Sequence, residues 1–376
     1  MTTKNKVRVP KIRFKEFSGE WKNKKLGDNV SIFDNKRVPI KRGNRVSGKF
    51  PYYGANGIQD RVSEYTHNGQ FILIAEDETD SIDLTNYPIY LVNGKIWVNN
   101  HSHVVSCLNS IKNIYLSYYL KNINWSKYLV SSSGRYKLSL SSLKEINYRD
   151  TNIYEQSKIG EYFSKLDKLI KNQEQKVEQL KQLKRGYLQK MFPQKGALVP
   201  RLRFRGFSGE WEERKLTNFV KIKTGNKNVE DNVLNGKYNF FDRSSVLKHL
   251  DTYDYDGKVI VYPGEGSSFM PKYFNGKYSL HQRAYGITSF KKVDAKFIFF
   301  FLQTQNNLFL RFSVGTTVKS LRMDSFRHVY LKYGTNIEQV KIGEYFTKLD
   351  KLIKLQQQKL SKLQQLKKGY LQKMFC

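Results

Sequence analysis

The clearest pattern along the chain is an apolar period of three to four. Ile159, Phe163, Leu166, Ile170, Val177, Leu180, Leu183 and Tyr187 form a stripe, with Lys, Glu and Gln between them. Neither Pro nor Gly interrupts residues 161–185. The pattern predicts a long amphipathic helix over 155–192. The stripe returns at Ile342, Phe346, Leu349, Ile353, Leu360, Leu363, Leu366 and Tyr370, which predicts a second helix over 338–376. About 30 helical residues span about 45 Å, so each helix alone would expose a long apolar face. The economical arrangement packs the two stripes together as an intramolecular coiled coil. The alternatives are two separate helices, each lying on its own domain, or a coiled coil that dimerises the chain. Gln173 and Gln356 occupy stripe midpoints where an apolar residue is expected, and so are candidates for setting the register of the pair.

Outside the helices the pattern changes. Apolar runs such as 71–75 and 259–262 lie between Gly, Asn and Asp turn signals and read as strands. Residues 115–120 and 297–302 read as short helices. The fold class is α+β, with mixed α/β globular parts and two long helices.

The pattern also repeats in detail. KIGEYFSKLDKLI from Lys158 returns as KIGEYFTKLDKLI from Lys341, and LKRGYLQKMF from Leu183 as LKKGYLQKMF from Leu366, both at an offset of 183. PKIRFKEFSGEW from Pro10 matches PRLRFRGFSGEW from Pro200 at an offset of 190. Weaker pairs lie between: 48–58 with 236–246 and 69–78 with 257–266 at 188, 101–105 with 281–285 at 180, 115–120 with 297–302 at 182, and 138–146 with 321–329 at 183. One unit is used twice with different loops, giving a pseudo-twofold internal repeat. The expected parts are 1–154 (lead-in and first globular domain), 155–192 (first helix), 193–199 (linker), 200–337 (lead-in and second globular domain) and 338–376 (second helix). By this symmetry the end of the chain should lie near residues 9 and 10.

Charge narrows the partner. The 376 residues hold 66 Lys+Arg against 33 Asp+Glu, a net charge of +33. With 39% hydrophobic and 14% aromatic residues the chain can build real cores, so this is a folded polyanion binder, not a basic tail. Two cysteines, Cys107 and Cys376, support neither a disulfide framework nor a four-cysteine metal site. The N-terminus has no apolar signal region, and the longest apolar run, 297–302, is too short to cross a bilayer. A cytoplasmic protein without membrane contact is expected.

Catalytic motifs are absent from the sequence. There is no phosphate loop; residues 264–268 lack both the lysine and the spacing. No Cys or His spacing suggests a metal. The acidic cluster 76–80 has a repeat partner, 264–268, with a single acid, which argues against a shared nuclease centre. No Asn/Asp-Pro-Pro-Tyr/Phe segment marks an adenine methyltransferase site. The reading is a non-catalytic binder that holds no metal and no cofactor of its own.

Base readout needs donors and acceptors on positioned loops over a bed of phosphate contacts. The candidates are loops in the same place of each repeat with different residues. They are Asn99, His101 and His103 against His281, Gln282 and Arg283; Arg135, Tyr136 and Lys137 against Thr317 and Lys319; and Asn56 against Arg243 and Ser244. Arg37, Arg42 and Arg45, matched loosely by Lys227, form a basic run suited to phosphates. Three partner classes remain open on this reading: a sequence-selective DNA reader, a non-specific DNA-bridging protein, and an RNA-binding module. Selectivity for one split site at physiological salt separates the first from the others.

The lead-in ending in Glu-Trp, the G-x-x-x-L element at 134–138, the double EQ-x-KIGEYF-x-KLDKLI signature and the stretch WVNNHSHVV at 97–105 resemble the specificity subunit of type I restriction–modification systems. Asn99, Asn100, His101 and His103 match in place. Relatives often carry a Gly in the preceding acidic turn, where this chain has Ala75, Glu76, Asp77 and Glu78. The resemblance implies two target recognition domains, each reading half of a bipartite double-stranded DNA target, and an antiparallel spacer of the two long helices, an antiparallel intramolecular coiled coil, that fixes the gap. It implies two methyltransferase subunits that carry S-adenosylmethionine and methylate adenine, and restriction/translocase subunits in the full complex.

Overall fold

The structure is a computed structural model. It describes residues 9–79, 87–107, 109–132, 135–244 and 246–375. Of the stretches read from the sequence, residues 80 (in 76–80), 134 (in 134–138) and 245 (in 236–246) and Cys376 lie outside them. The chain divides into two compact units, Met1–Gln173 with Lys359–Cys376, and Glu174–Gln358.

The first unit contains strands Lys22–Lys25 (β1), Ser31–Ile32 (β2), Ser47–Gly54 (β3), Gly57–Val62 (β4), His67–Ala75 (β5), Asp77–Thr79 (β6), Ile89–Val98 (β7) and Ser102–Ser106 (β8). Helix Ser110–Leu120 (α1) follows, then Val130–Ser132 (β9), Arg135–Lys137 (β10), Leu140–Lys144 (α2), Asn147–Asp150 (β11) and the start of Ile153–Met191 (α3). The main sheet runs β2-β8-β5-β7-β3-β4, antiparallel except where β3 meets β7. β6-β10-β9 and β1-β11 form two smaller sheets.

The second unit repeats this plan with Glu212–Lys215 (β12), Lys221–Thr224 (β13), Tyr238–Phe241 (β14), Lys248–Leu250 (β15), Tyr255–Pro263 (β16), Glu265–Gly266 (β17), Lys272–Leu280 (β18) and Ala284–Thr288 (β19). Helices Ala295–Gln303 (α4) and Asn306–Phe312 (α5), strands Lys319–Ser320 (β20) and Tyr330–Tyr333 (β21), and the start of Asn336–Met374 (α6) complete it. Its main sheet runs β13-β19-β16-β18-β14-β15, again with one parallel pair, β14 and β18.

The second half of the central strand of each sheet, residues 71–75 in β5 and 259–262 in β16, is a continuous apolar run because both its faces are covered there. In β5, Ile72 and Ile74 face the larger core with Trp21, Tyr115 and Phe163, while Phe71 and Leu73 face a smaller core with Val92 and Val98. In β16, Ile260 and Tyr262 face the larger core, and Val259 and Val261 the smaller. Opposed glycines sit in the same strand pairs, Gly69 with Gly94 and Gly257 with Gly276. All four hold left-handed φ values of 92–144° that a side chain would oppose. The sheet of the first unit curls back on itself, so the residues after β2 hydrogen-bond both β8 (Phe33 N to Val104 O, 2.8 Å) and the end of β7 (Val38 N to Val98 O, 3.0 Å).

The repeated signatures are locks at the start of the long helices. Glu155 is fully buried and accepts two hydrogen bonds from Arg13 (2.7 and 2.8 Å), one from the Trp21 indole (3.2 Å) and one from Thr151. Glu338 accepts the same set from Arg203 (2.7 and 2.8 Å) and Trp211 (3.1 Å). The glycine of KIGEYF allows close approach: a Cβ on Gly160 would lie 2.9 Å from Ile114, and one on Gly343 2.9 Å from Asp294.

Within each unit the two long helices pack antiparallel. In the first unit Tyr162 meets Tyr370 at 5.4 Å and Phe163 stacks on Phe375 at 5.8 Å. In the second, Tyr187 meets Tyr345 at 5.7 Å and Phe192 stacks on Phe346 at 6.3 Å. Leu183 and Leu366, expected in the apolar stripe, are instead 42% and 45% exposed. The heptad places Lys184 and Lys367 in the seam, where they reach Asp350 (2.7 Å) and Asp167 (2.5 Å) on the facing helix of their own units. Gln173 is buried and Gln356 half-buried. Among the described residues no helix is long and apolar enough to cross a membrane.

Candidate nucleic-acid interface

Strand register fixes which residues of the two units correspond. Ile74 pairs with His103 and Ala75 with Ser102; Tyr262 pairs with Tyr285 and Pro263 with Ala284. β8 and β19 therefore superpose at an offset of 182, not the 180 expected from matching His101 with His281. Asn99 corresponds to His281, Asn100 to Gln282, His101 to Arg283 and His103 to Tyr285. Backbone bonds agree: Asn99 N donates to Tyr53 O (3.0 Å) and His281 N to Phe241 O (2.9 Å). A slip of two keeps every side chain on its face, so periodicity alone cannot detect it.

With that register, a common rim emerges around the loop between β7 and β8. In the first unit Asn99 is buried and its Oδ1 accepts the His101 amide (2.9 Å). The loop turns, and exposed His101 meets Asp77 through Nδ1 at 2.9 Å. In the second unit buried His281 takes over the turn, its Nδ1 accepting the Arg283 amide (2.9 Å). Arg283 then reaches Glu265 (2.6 Å), the counterpart of Asp77. Arg243 binds the other oxygen of Glu265 (2.5 Å), and these two guanidinium groups hold its carboxyl below the usual range. A basic side chain steadied by a carboxylate thus stands at the same rim position in both units, as His in one and Arg in the other.

Several expected contact residues have structural duties. Arg37, expected to contact phosphate, is turned inward to Glu76 (2.6 Å), Ser102 O (3.1 Å) and Asp34 O (3.1 Å). Arg45 lies over the Tyr52 ring at 4.1 Å and bonds Ile40 O (3.1 Å). His103 is 2% exposed with both ring nitrogens engaged, by Asp34 (2.6 Å) and Leu138 O (2.9 Å). Asn99, His103 and His281, expected from sequence as DNA contacts, are thus buried here, and each holds part of the rim through its side chain. Ser244 is half-buried and bonds Asp242 (2.7 Å). Lys227 is half-buried, and its amine lies 3.8 Å from Asp254.

The rest are available. Arg42 lies exposed in a single 3-10 turn, and Asn56 at the tip of the β3–β4 hairpin. Tyr136 is half-buried on β10; of Arg135 only the strand position is described. Lys137 projects from β10 toward Glu76 and Asp77, both at 3.4 Å. Gln282 is exposed and donates to Asn228 (2.6 Å). Thr317 is exposed, and Lys319 half-buried on β20. In the first unit a pocket of about 400 Å³ opens at the rim, lined by Lys41, Arg45, Tyr52, Gln59, Asn99 and His101. An exposed cation beside side-chain amides over a pocket can donate to base edges or phosphates.

From sequence Asp34 draws no notice, and Asp77 and Glu265 figure only as members of the cluster 76–80 and its partner 264–268, as metal ligands and not as partners of the rim cations. A signal existed for two of them, because Asp77 and Glu265 align at the offset of 188.

Two stretches, residues 18–182 and 208–365, match the family described as type I restriction modification DNA specificity domain. The chain belongs to this family. It is 46% identical over 127 residues to S.HindORF215P of Haemophilus influenzae, named as a type I restriction enzyme specificity subunit; the match covers 34% of this chain and 32% of that one. It is 25% identical over 146 residues to the EcoDI specificity subunit of Escherichia coli, covering 38% and 31%. The chain thus spans about a third of the length of the curated relatives it matches. In fold it resembles the type I restriction–modification S subunit from M. genitalium, with a TM-score of 0.71 at 15% identity over 98% of this chain and 99% of that one. A second structure, from work on assembly of the type I system, gives 0.52 at 13% identity over 94% and 97%.

Proposed function

We propose that this chain is the sequence-reading subunit of a type I restriction–modification complex. Each unit reads one half of a bipartite double-stranded DNA target, and the long helices set the unspecified gap. The chain itself performs no chemistry. Methyltransferase subunits, carrying S-adenosylmethionine, dock on it and methylate adenine, and restriction/translocase subunits join the full complex. The observation that carries this reading is the pair of equivalent rims. The two units share one backbone plan but place different polar groups at matched positions: His101 against Arg283 and Asn100 against Gln282. A purely structural DNA binder needs only phosphate contacts and has no use for such divergence.

Single-molecule methylome sequencing of the host, with and without the gene, tests the proposal. One bipartite methyl-adenine motif should vanish on deletion and return with the gene. An unchanged methylome would overturn it.

A further inference from the structure

The rim of the first unit is held by a charged side chain that the second unit replaces with neutral ones. His103 bonds the Asp34 carboxylate through Nδ1 (2.6 Å) and the Leu138 carbonyl through Nε2 (2.9 Å). A carbonyl and an ionised carboxylate only accept, so both ring nitrogens must donate. Asp34 is ionised there: it also accepts the Val104 amide (2.8 Å) and faces Arg37 at 3.5 Å. Leu138 closes the β9–β10 hairpin onto the sheet, since its amide donates to Glu76 O (2.8 Å). In the second unit Leu321 donates to Gly264 O (2.7 Å), and the Tyr285 hydroxyl takes the place of the imidazole, donating to Leu321 O (2.9 Å). Strand pairing puts Thr224 opposite Tyr285, in the position that Asp34 holds opposite His103, and Gly264 where the first unit has Glu76. Three positions change together, from Asp34, His103 and Glu76 to Thr224, Tyr285 and Gly264.

On the proposed DNA-reading function, we infer that His103 is a positioning residue for the first reading rim, a buried imidazolium that fastens the β9–β10 hairpin. Discrimination at the first half-site therefore weakens as pH rises, while the Tyr285 clamp keeps the second half-site indifferent to pH.

The surroundings fix the sign. Asp34 and Arg37 face the ring from the segment after β2, and Glu76 from the end of β5, 3.8 Å from Nε2. Lys137 on β10 and His101 on the β7–β8 loop engage Glu76 and Asp77 beyond them. Burial works against the charge of His103, but the bonds to Asp34 and Leu138 and the charges of Asp34 and Glu76 outweigh it, and its pKa is raised. A raised folded-state value means the clamp is complete below the ordinary histidine range and is lost as pH climbs through the raised value. For the Tyr285 hydroxyl burial itself pushes the pKa up, so this donor keeps its proton throughout.

The test uses the full chain. Ring ¹⁵N shifts should show both nitrogens of His103 protonated at neutral pH; a neutral ring would overturn the inference. Duplexes carrying the methylated motif, altered at one base pair in either half, are then bound between about pH 6 and pH 9. First-half discrimination should fall by about tenfold or more over this span, within what one base pair is worth, while second-half discrimination holds. His103→Phe should show the low value at every pH. The pair Asp34→Thr with His103→Tyr, which copies the second unit, should restore discrimination and abolish its pH dependence. A flat wild-type profile, or a parallel fall in both halves, rejects the clamp. If no duplex is bound selectively at any pH, the DNA-reading function fails instead. Amide exchange then decides the clamp alone: protection of Leu138 should drop as pH rises beyond the intrinsic trend, and that of Leu321 should not.

Discussion

At the scale of single residues, the buried carboxylates of the repeated signature set the largest stakes. Glu155 is fully buried, and the bidentate Arg13 and the Trp21 indole close on it. Glu155→Ala would strand a largely buried guanidinium, a loss of about 3–5 kcal/mol for a broken buried pair. Urea unfolding should register it; a change below about 1 kcal/mol, typical of exposed pairs, would show that the lock is not structural. Gly343→Ala forces a Cβ to within 2.9–3.2 Å of Asp294, Lys296 and the Phe297 amide, and backbone yields less readily than the Ile114 methyl that faces Gly160. Overpacking of about 1–3 kcal/mol is expected, larger at Gly343 than at Gly160. Cys107 is buried, and burial pushes its thiol up to about 11. Iodoacetamide should label it only in the unfolded chain, as read by peptide mass spectrometry; rapid labelling of the native protein would contradict the burial.

At the scale of elements, the far end of each long helix completes the core of the unit in which it ends. Phe375 lies 5.5–6.3 Å from the rings of Trp21, Tyr115, Tyr119 and Phe163. Phe192 makes the matching contacts with Trp211, Phe297, Phe301 and Phe346 at 5.3–6.3 Å. This explains why LKRGYLQKMF and LKKGYLQKMF recur so faithfully: each ends in the ring that fills a core. Phe375→Ala should cost about 3–5 kcal/mol, as for other buried aromatics cut to alanine, and expose the first unit to proteolysis before the second. Equal susceptibility of both units would contradict this division. The exposed Leu183 and Leu366 show how the helix pattern misleads near its end. A strict 3.5-residue repeat assigns the seam to Lys184 and Lys367, and a lysine stem can lie in a seam while its amine reaches an acid.

At the scale of the molecule, both units are tied off by the same backbone bond. In the first unit the Ile12 amide donates to Lys373 O (2.9 Å), and in the second the Leu202 amide donates to Lys190 O (2.9 Å). Within the first unit the two terminal segments thus meet as the two flanks of the linker meet in the second. Joining the termini and opening the chain at exposed Gly196 should give a folded protein with the same DNA selectivity, measured by binding to the same duplexes. Failure to fold would show that the linker does more than connect. Replacing residues 22–150 with the matching segment of a relative should change one half of the methylated motif and leave the other, as read by methylome sequencing. A change in both halves would refute independent reading.

The sequence by itself determined the repeat, the two long helices, the apolar runs of the central strands and the chain's excess of positive charge, because each rests on local periodicity or composition. It also marked the signature residues, since a buried Arg-Glu-Trp lock leaves the same letters twice. Only tertiary structure decided which rim residues face solvent. Arg37, Asn99, His103 and His281 cannot be told in the sequence from exposed candidates such as His101, yet each is turned inward and holds part of the rim. The correspondence of His101 with Arg283 was hidden for a related reason. Side chains in a strand alternate faces every second residue, so offsets of 180 and 182 give the same pattern of buried and exposed positions. Hydrogen-bond pairing between β5 and β8, and between β16 and β19, breaks that tie, because a backbone amide can meet only one carbonyl register at a time.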